Sequence, residues 1–243
     1  MADSTDSELG PETAPADDST PPRRSQRTAL TVIGLIGALV IGFAVGFLVR
    51  PSAEDDTAVP EAGSVDVGFA QDMSEHHSQA VEMSAIALAD VNDPAVRSLA
   101  YDILTTQQNQ LGQMQAWLDL WGQPLLPSGG YMGWMQPQQS DGHGQDSDEA
   151  MHMGPMAKMP GMATSEDMTA LRQATGPAAD VLFLQLMLRH HEGGLPMMEY
   201  AAEHAAERVT RDLAQKMVDT QESESTLITN MLAERGSSPL PMN

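Results

Sequence analysis

Apolar positions recur along the chain at two different spacings, and the difference divides it. Residues 28–49 (TALTVIGLIGALVIGFAVGFLV) run without a charge. As a helix such a run rises about 33 Å, enough to cross a bilayer's hydrocarbon core, so the sequence predicts a transmembrane helix over 28–49. From residue 65 onward, apolar residues return every three or four positions instead, the period of helices buried on one face. Phe69, Met73, His77, Ala80 and Ser84 mark such a stripe in a helix from Val65 to Ala89. Asp90, Asn92, Asp93 and Pro94 make a turn, and Pro94 suits the first position of the next helix. That helix runs from Pro94 to Trp121 on Val96, Leu99, Ile103, Leu111, Met114, Leu118 and Trp121, and Gly122 ends it.

The pattern then lapses. Residues 123–162 carry no apolar period and are crowded with Gly, Pro, Gln, Asp and Met. A short helix is predicted from Ser165 to Ala174, with Thr164 or Ser165 as its cap and Asp167 as the acid of a capping box. Gly176 breaks the chain. A long helix from Pro177 to about His204 follows. Gly193, Gly194 and Pro196 lie inside it and predict a weakened stretch with a kink near Pro196. Its partner runs from Ala205 or Ala206 to Glu234, closed by Gly236.

The two helix pairs are one unit written twice. DVGFAQDMSEHHSQAVEM opens the first and DVLFLQLMLRHHEGGLPM the second. Asp66, Phe69, Met73, His76, His77 and Met83 stand against Asp180, Phe183, Met187, His190, His191 and Met197, each 114 positions apart. Leu99-Ala100 and Leu213-Ala214, Gln107 and Gln221, and Leu118 and Leu232 keep the same offset. A spaced pattern repeated without a gap marks a duplication. Neither αα-hairpin can bury its stripe alone. The expected fold is all-α: one four-helix bundle with a pseudo-twofold axis. Repeat one spans 65–122, a Met-rich linker 123–164, the short helix 165–175 and repeat two 177–236, with a disordered tail at 237–243.

Charge sets the expected topology. Residues 1–27 have the Asp, Glu, Ser, Thr and Pro content of a disordered tail. Arg23, Arg24 and Arg27 precede the apolar run, whereas only Arg50 and then Glu54, Asp55 and Asp56 follow it. The basic excess predicts a single-pass membrane protein with a cytoplasmic N-terminus, an acidic linker at 50–64 and an extracytoplasmic domain. A cleaved signal peptide is the alternative, but no small-x-small site follows Val49. Gly42 and Gly46 make one small-xxx-small pair, a pattern associated with helix dimerisation and hence with a homodimer. The chain holds 34 acidic and 12 basic residues, a formal net charge of -22. A field of that sign attracts cations and excludes nucleic acid as a partner.

Cysteine is absent, which removes disulfides, thiolate nucleophiles and iron–sulfur sites, while methionine numbers 18. On a helix Met73 shares a face with His76 and His77, and Met83 lies two turns beyond His76. The second copy repeats this with Met187, His190, His191 and Met197. Thioether and imidazole together suit copper, Cu(I) above all. Met151, His152, Met153, Met156, Met159 and Met162 crowd the polar linker, where no core calls for them, and can wrap the same ion. Asp66 and Asp180 are candidates to cap their helices or to orient an imidazole from behind. The bland alternatives are buried core histidines facing Gln or Asp, and methionines that only fill the core. No His-Glu-x-x-His, Gly-x-Ser-x-Gly or phosphate loop is present, and the one Glu-x-x-His, Glu149 to His152, is in the linker. Nothing therefore points to an enzyme.

FAQDMSEHHSQAVEM and FLQLMLRHHEGGLPMMEYA resemble the bacterial domain-of-unknown-function family DUF305, over about Asp66 to Arg235. The resemblance implies a ferritin-like four-helix bundle. Some members are similar to exported copper-binding or copper-tolerance proteins. It implies a metal set of Met73, His76, His77 and Met83 with Met187, His190, His191 and Met197. The expected function is a membrane-anchored extracytoplasmic protein that binds, stores or passes on copper, with an envelope copper-handling protein as partner. The alternative is a non-catalytic structural or interaction module of the cell envelope.

Overall fold

Residues 24–48, 59–135 and 155–243 are described by a computed structural model. The chain divides into two units, Met1–Ala58 and Val59–Asn243. The first holds α1 (Arg24–Leu48), on which Leu30, Ile33, Leu39 and Phe43 are exposed. The expected transmembrane helix over 28–49 is not borne out. Among the described residues, no helix is long and apolar enough to cross a membrane. Arg24 and Arg27 occupy the helix's first turns. The single-pass topology, the membrane attachment and the membrane localisation deduced from that span fall with it.

The second unit contains α2 (Val65–Asp90), α3 (Pro94–Leu120), the short α4 (Ser165–Gln173), α5 (Pro177–His204) and α6 (Arg208–Glu234). No strand is present among the described residues beyond two isolated bridges. α2 packs on α3, α5 on α6, and the two hairpins meet through α2 and α5. Ser64 caps α2 and Asp93 caps α3, with Pro94 in its first turn. Thr164 and Asp167 form the expected capping box on α4. α5 continues through Pro196. The carbonyl that Pro196 leaves without a donor belongs to Glu192, which is exposed, so water can replace the lost bond.

The core consists of two apolar clusters that are copies of each other. Phe69, Met73, Met114, Met197, Leu213 and Met217 lie in one; Phe183, Met187, Ile228, Met83, Leu99 and Ile103 lie in the other. Each of these six residues of the first has its 114-offset equivalent in the second, as a twofold axis between the hairpins requires; the first also takes in Met132, Trp134 and Met159 from the linker.

Asp66 and Asp180 show the same symmetry at the bundle's ends. Asp66 accepts hydrogen bonds from the backbone of Ala206 (2.9 Å) and Glu207 (2.9 Å), and Asp180 from that of Asn92 (2.8 Å) and Asp93 (3.1 Å). Each aspartate thus ties down the turn of the other hairpin. The tail at 237–243 lies against the bundle: Gln185 donates to the Ser238 carbonyl (2.7 Å) and Leu240 packs on the core.

Candidate metal centre

Between the two apolar clusters the bundle carries a layer of polar side chains. α2 contributes His76 and His77, α5 His190 and His191, α3 Gln107 and Gln110, and α6 Gln221 and Glu224. The four imidazoles are completely buried or nearly so. The rings of His76 and His190 lie 3.7 Å apart between centroids, tilted by 35°.

Hydrogen bonds fix the ring tautomers. Nε2 of His190 reaches the backbone carbonyl of His76 (3.0 Å), and Nε2 of His191 the carboxylate of Glu224 (2.7 Å). Both partners only accept, so both Nε2 atoms carry the proton. Nε2 of His77 meets Oε1 of Gln110 at 2.8 Å in the same arrangement. The Nδ1 atoms of His77, His190 and His191 are buried without a partner, and the His76 ring faces the backbone of Pro160. At least three Nδ1 lone pairs are therefore available inside the protein. Burial is the first cause that depresses the imidazoles. It holds His76 and His190 well below the ordinary value and His77 at about 4, and the neighbouring imidazoles push the same way. His76, His77 and His190 are therefore neutral, the form that ligates metal.

The thioethers flank this layer. Met73 and Met197 are buried in one apolar cluster, and Met83 and Met187 in the other. Asp66 and Asp180 do not stand behind the imidazoles; they are committed to the interhelical turns. Among the described residues, no three histidine or carboxylate side chains stand close enough to hold one ion. Any ion here depends on imidazole pairs with thioether help.

The linker departs most from expectation. Met151, His152 and Met153 lie outside the described residues. Met159 is buried, and Met156 and Met162 pack against the cluster that holds Met73, so these methionines have a packing role after all. Tyr131 and Met156 exchange backbone hydrogen bonds (2.9 and 2.8 Å). Gln79 clamps Ala163, accepting from its N–H (2.6 Å) and donating to its carbonyl (3.0 Å). Arg189 on α5 grips Asp167 at the start of α4 (2.6 Å). Asp72, buried, accepts from Met132 N and Trp134 Nε1, both at 2.7 Å, and burial pushes its carboxyl up.

These anchors lay Pro160 and Gly161 across α5 as a strap. A β-carbon on Gly193 would lie 2.4 Å from the Pro160 carbonyl oxygen, and one on Gly194 2.8 Å from the His76 ring. The Gly193-Gly194 pair is thus a seat for the strap and for His76, rather than a weak stretch. The four imidazoles have almost no exposed surface. Sequence reasoning also missed Gln110 and Glu224; the 114-residue offset joins them, which was the available signal.

The profile of a family described as a domain of unknown function, DUF305, matches residues 66–232. The crystal structure of a DUF305 protein from Streptomyces coelicolor is 44% identical over 74% of this chain and 99% of its own, with a TM-score of 0.65. A DUF305 fragment from Deinococcus radiodurans is 30% identical over 72% of this chain and 99% of its own, with a TM-score of 0.54. CopM in a Cu(I)-bound form shares the fold at 18% identity, over 70% of this chain and 96% of its own, with a TM-score of 0.51. A protein of Acanthamoeba polyphaga mimivirus is 37% identical over 54 residues, 22% of this chain and 36% of its own length.

Proposed function

The chain belongs to the DUF305 family, and from the chemistry of its buried layer we propose that it binds copper, as Cu(I), through His76, His77, His190 and His191. Met73, Met83, Met187 and Met197 are the nearby thioether donors. One observation carries this reading: imidazoles with a committed Nε2–H keep their Nδ1 lone pairs unpartnered in the interior. A buried acceptor without a donor costs about 1–3 kcal/mol, and a metal ion removes that cost. Neutral nitrogen and sulfur donors favour a soft ion, and a single positive charge is cheaper to bury than two. CopM has been seen in a Cu(I)-bound form, so Cu(I) is the ion to test first. Holding or buffering the ion is the role that follows.

Titration of the protein with Cu(I) against a competing chelator tests this. Replacing His77 and His191 together is expected to weaken binding far more than Met114→Ala. Binding no tighter than that of a methionine-poor acidic control protein overturns the proposal.

A second reading is favoured by the hydrogen bonds that already satisfy Nε2 of His77, His190 and His191. On this reading the layer is structural and fixes the register of one hairpin on the other. Cu(I) then leaves the melting temperature unchanged, whereas binding to the native state raises it.

A further inference from the structure

The two halves of the polar layer match at three positions and differ at one. His76 pairs with His190, His77 with His191 and Gln107 with Gln221, but Gln110 is answered by Glu224. Both residues do the same geometric task. Gln110 accepts from His77 Nε2 at 2.8 Å and Glu224 from His191 Nε2 at 2.7 Å. The chemistry is not the same. A carboxylate is a stronger acceptor than an amide, and it pushes electron density through the ring to the opposite nitrogen, which makes Nδ1 a better donor. It also places one negative charge beside ligands that carry none. A monovalent cation at His191 is compensated by that charge, whereas one at His77 is buried without compensation. The Glu224 side chain remains 16% exposed, so its own burial is incomplete.

We propose that Glu224, a positioning residue acting through His191, makes the second-repeat half of the layer the first and tighter site for a monovalent soft cation. This rests on the metal-binding reading above. The two halves then fill in sequence despite their shared ancestry.

The experiment uses the full chain with Cu(I) under chelator competition, and Ag(I) as a redox-inert probe for NMR of the imidazole nitrogens. Glu224→Gln removes the charge but keeps an acceptor for Nε2–H, so His191 should keep its tautomer in the metal-free spectrum. Affinity for the first Cu(I) should nevertheless fall about 10- to 100-fold. The swap Gln110→Glu with Glu224→Gln preserves composition and, by the twofold relation, fits the fold. In the wild type the His191 resonances should shift first on Ag(I) addition; in the swap, those of His77. If His191 still responds first in the swapped protein, or if Glu224→Gln binds the first ion as tightly as the wild type, the inference is overturned while copper binding stands. If wild type and variants alike bind no better than the control protein, both the inference and the function it rests on fail.

Discussion

The rings of His76 and His190 meet, tilted by 35° with centroids 3.7 Å apart, where α2 packs on α5, and the two residues are equivalents in the repeat, so the molecule's twofold axis passes between them. A protonated pair in that position would place two like charges a few ångströms apart in a dry interior. The contact exists only while both rings are neutral. Stability is therefore expected to depend on pH. Burial depresses His76, His77 and His190 when folded, His77 from 6.5 to about 4. Below 6.5 the unfolded chain binds more protons than the native one, so stability is full above that pH and drains away as pH falls toward the folded values. His77 alone accounts for about 3 kcal/mol. Asp72, raised by burial, works in the opposite direction but is one group against three. Urea unfolding between about pH 7 and 4.5 should show the midpoint falling steadily; a flat profile would contradict the neutral layer.

The glycines of α5 should be intolerant of a methyl group. Gly194→Ala drives a β-carbon into the His76 ring, and Gly193→Ala drives one into the Pro160 backbone. A loss of about 1–3 kcal/mol is expected for each, greater at Gly193 because backbone yields less than a side chain. Gly112 on α3 is the control. A β-carbon there meets nothing within 4 Å, so Gly112→Ala should stabilise by about 0.5–1 kcal/mol. Thermal unfolding of the three variants decides.

The reciprocal aspartates should behave as independent fasteners. Asp66→Ala leaves the Ala206 and Glu207 amides without their acceptor, and Asp180→Ala does the same to Asn92 and Asp93. Each should cost about 1–3 kcal/mol. They serve different turns and share no partner, so the double variant should lose the sum within about 0.5 kcal/mol. Equilibrium denaturation of both singles and the double checks this, and strong non-additivity would show the two ends to be coupled.

Access to the imidazoles is expected to be slow, because Pro160 lies against His76 and the segment that carries it is held by Gln79 through Ala163. Gln79→Ala removes that clamp. Stopped-flow Cu(I) uptake should then accelerate about tenfold or more, with a smaller change in equilibrium affinity. Equal rates in wild type and variant would mean that the ion enters by another route.

Much of this was legible in the residue pattern. The apolar period predicts α2, α3 and α5 to within a residue or two at each end, and the Thr164–Asp167 box appears as expected. The repeat offset foretold a twofold bundle because identical stripes bury best against each other. Three things were not legible. Charge-free length at 28–49 resembles a bilayer span, yet among the described residues no helix is long and apolar enough to cross a membrane. Gly193 and Gly194 carry a helix penalty in sequence, and their benefit, a close approach by the strap and a ring, comes from residues far away in the chain. Asp66 and Asp180 sit near the histidines in sequence, yet a helix of this length carries them to the bundle's end, where they serve the opposite hairpin.

That exchange of aspartates has a consequence for how such a chain arose. A polypeptide holding one hairpin alone has an aspartate with no turn to grip and a turn with no aspartate to grip it. Two copies related by a twofold axis cure both deficits at once. A single-hairpin ancestor would thus have been a self-associating product before its gene doubled, and residues 59–135 and 155–243, expressed as separate fragments, should still complement each other.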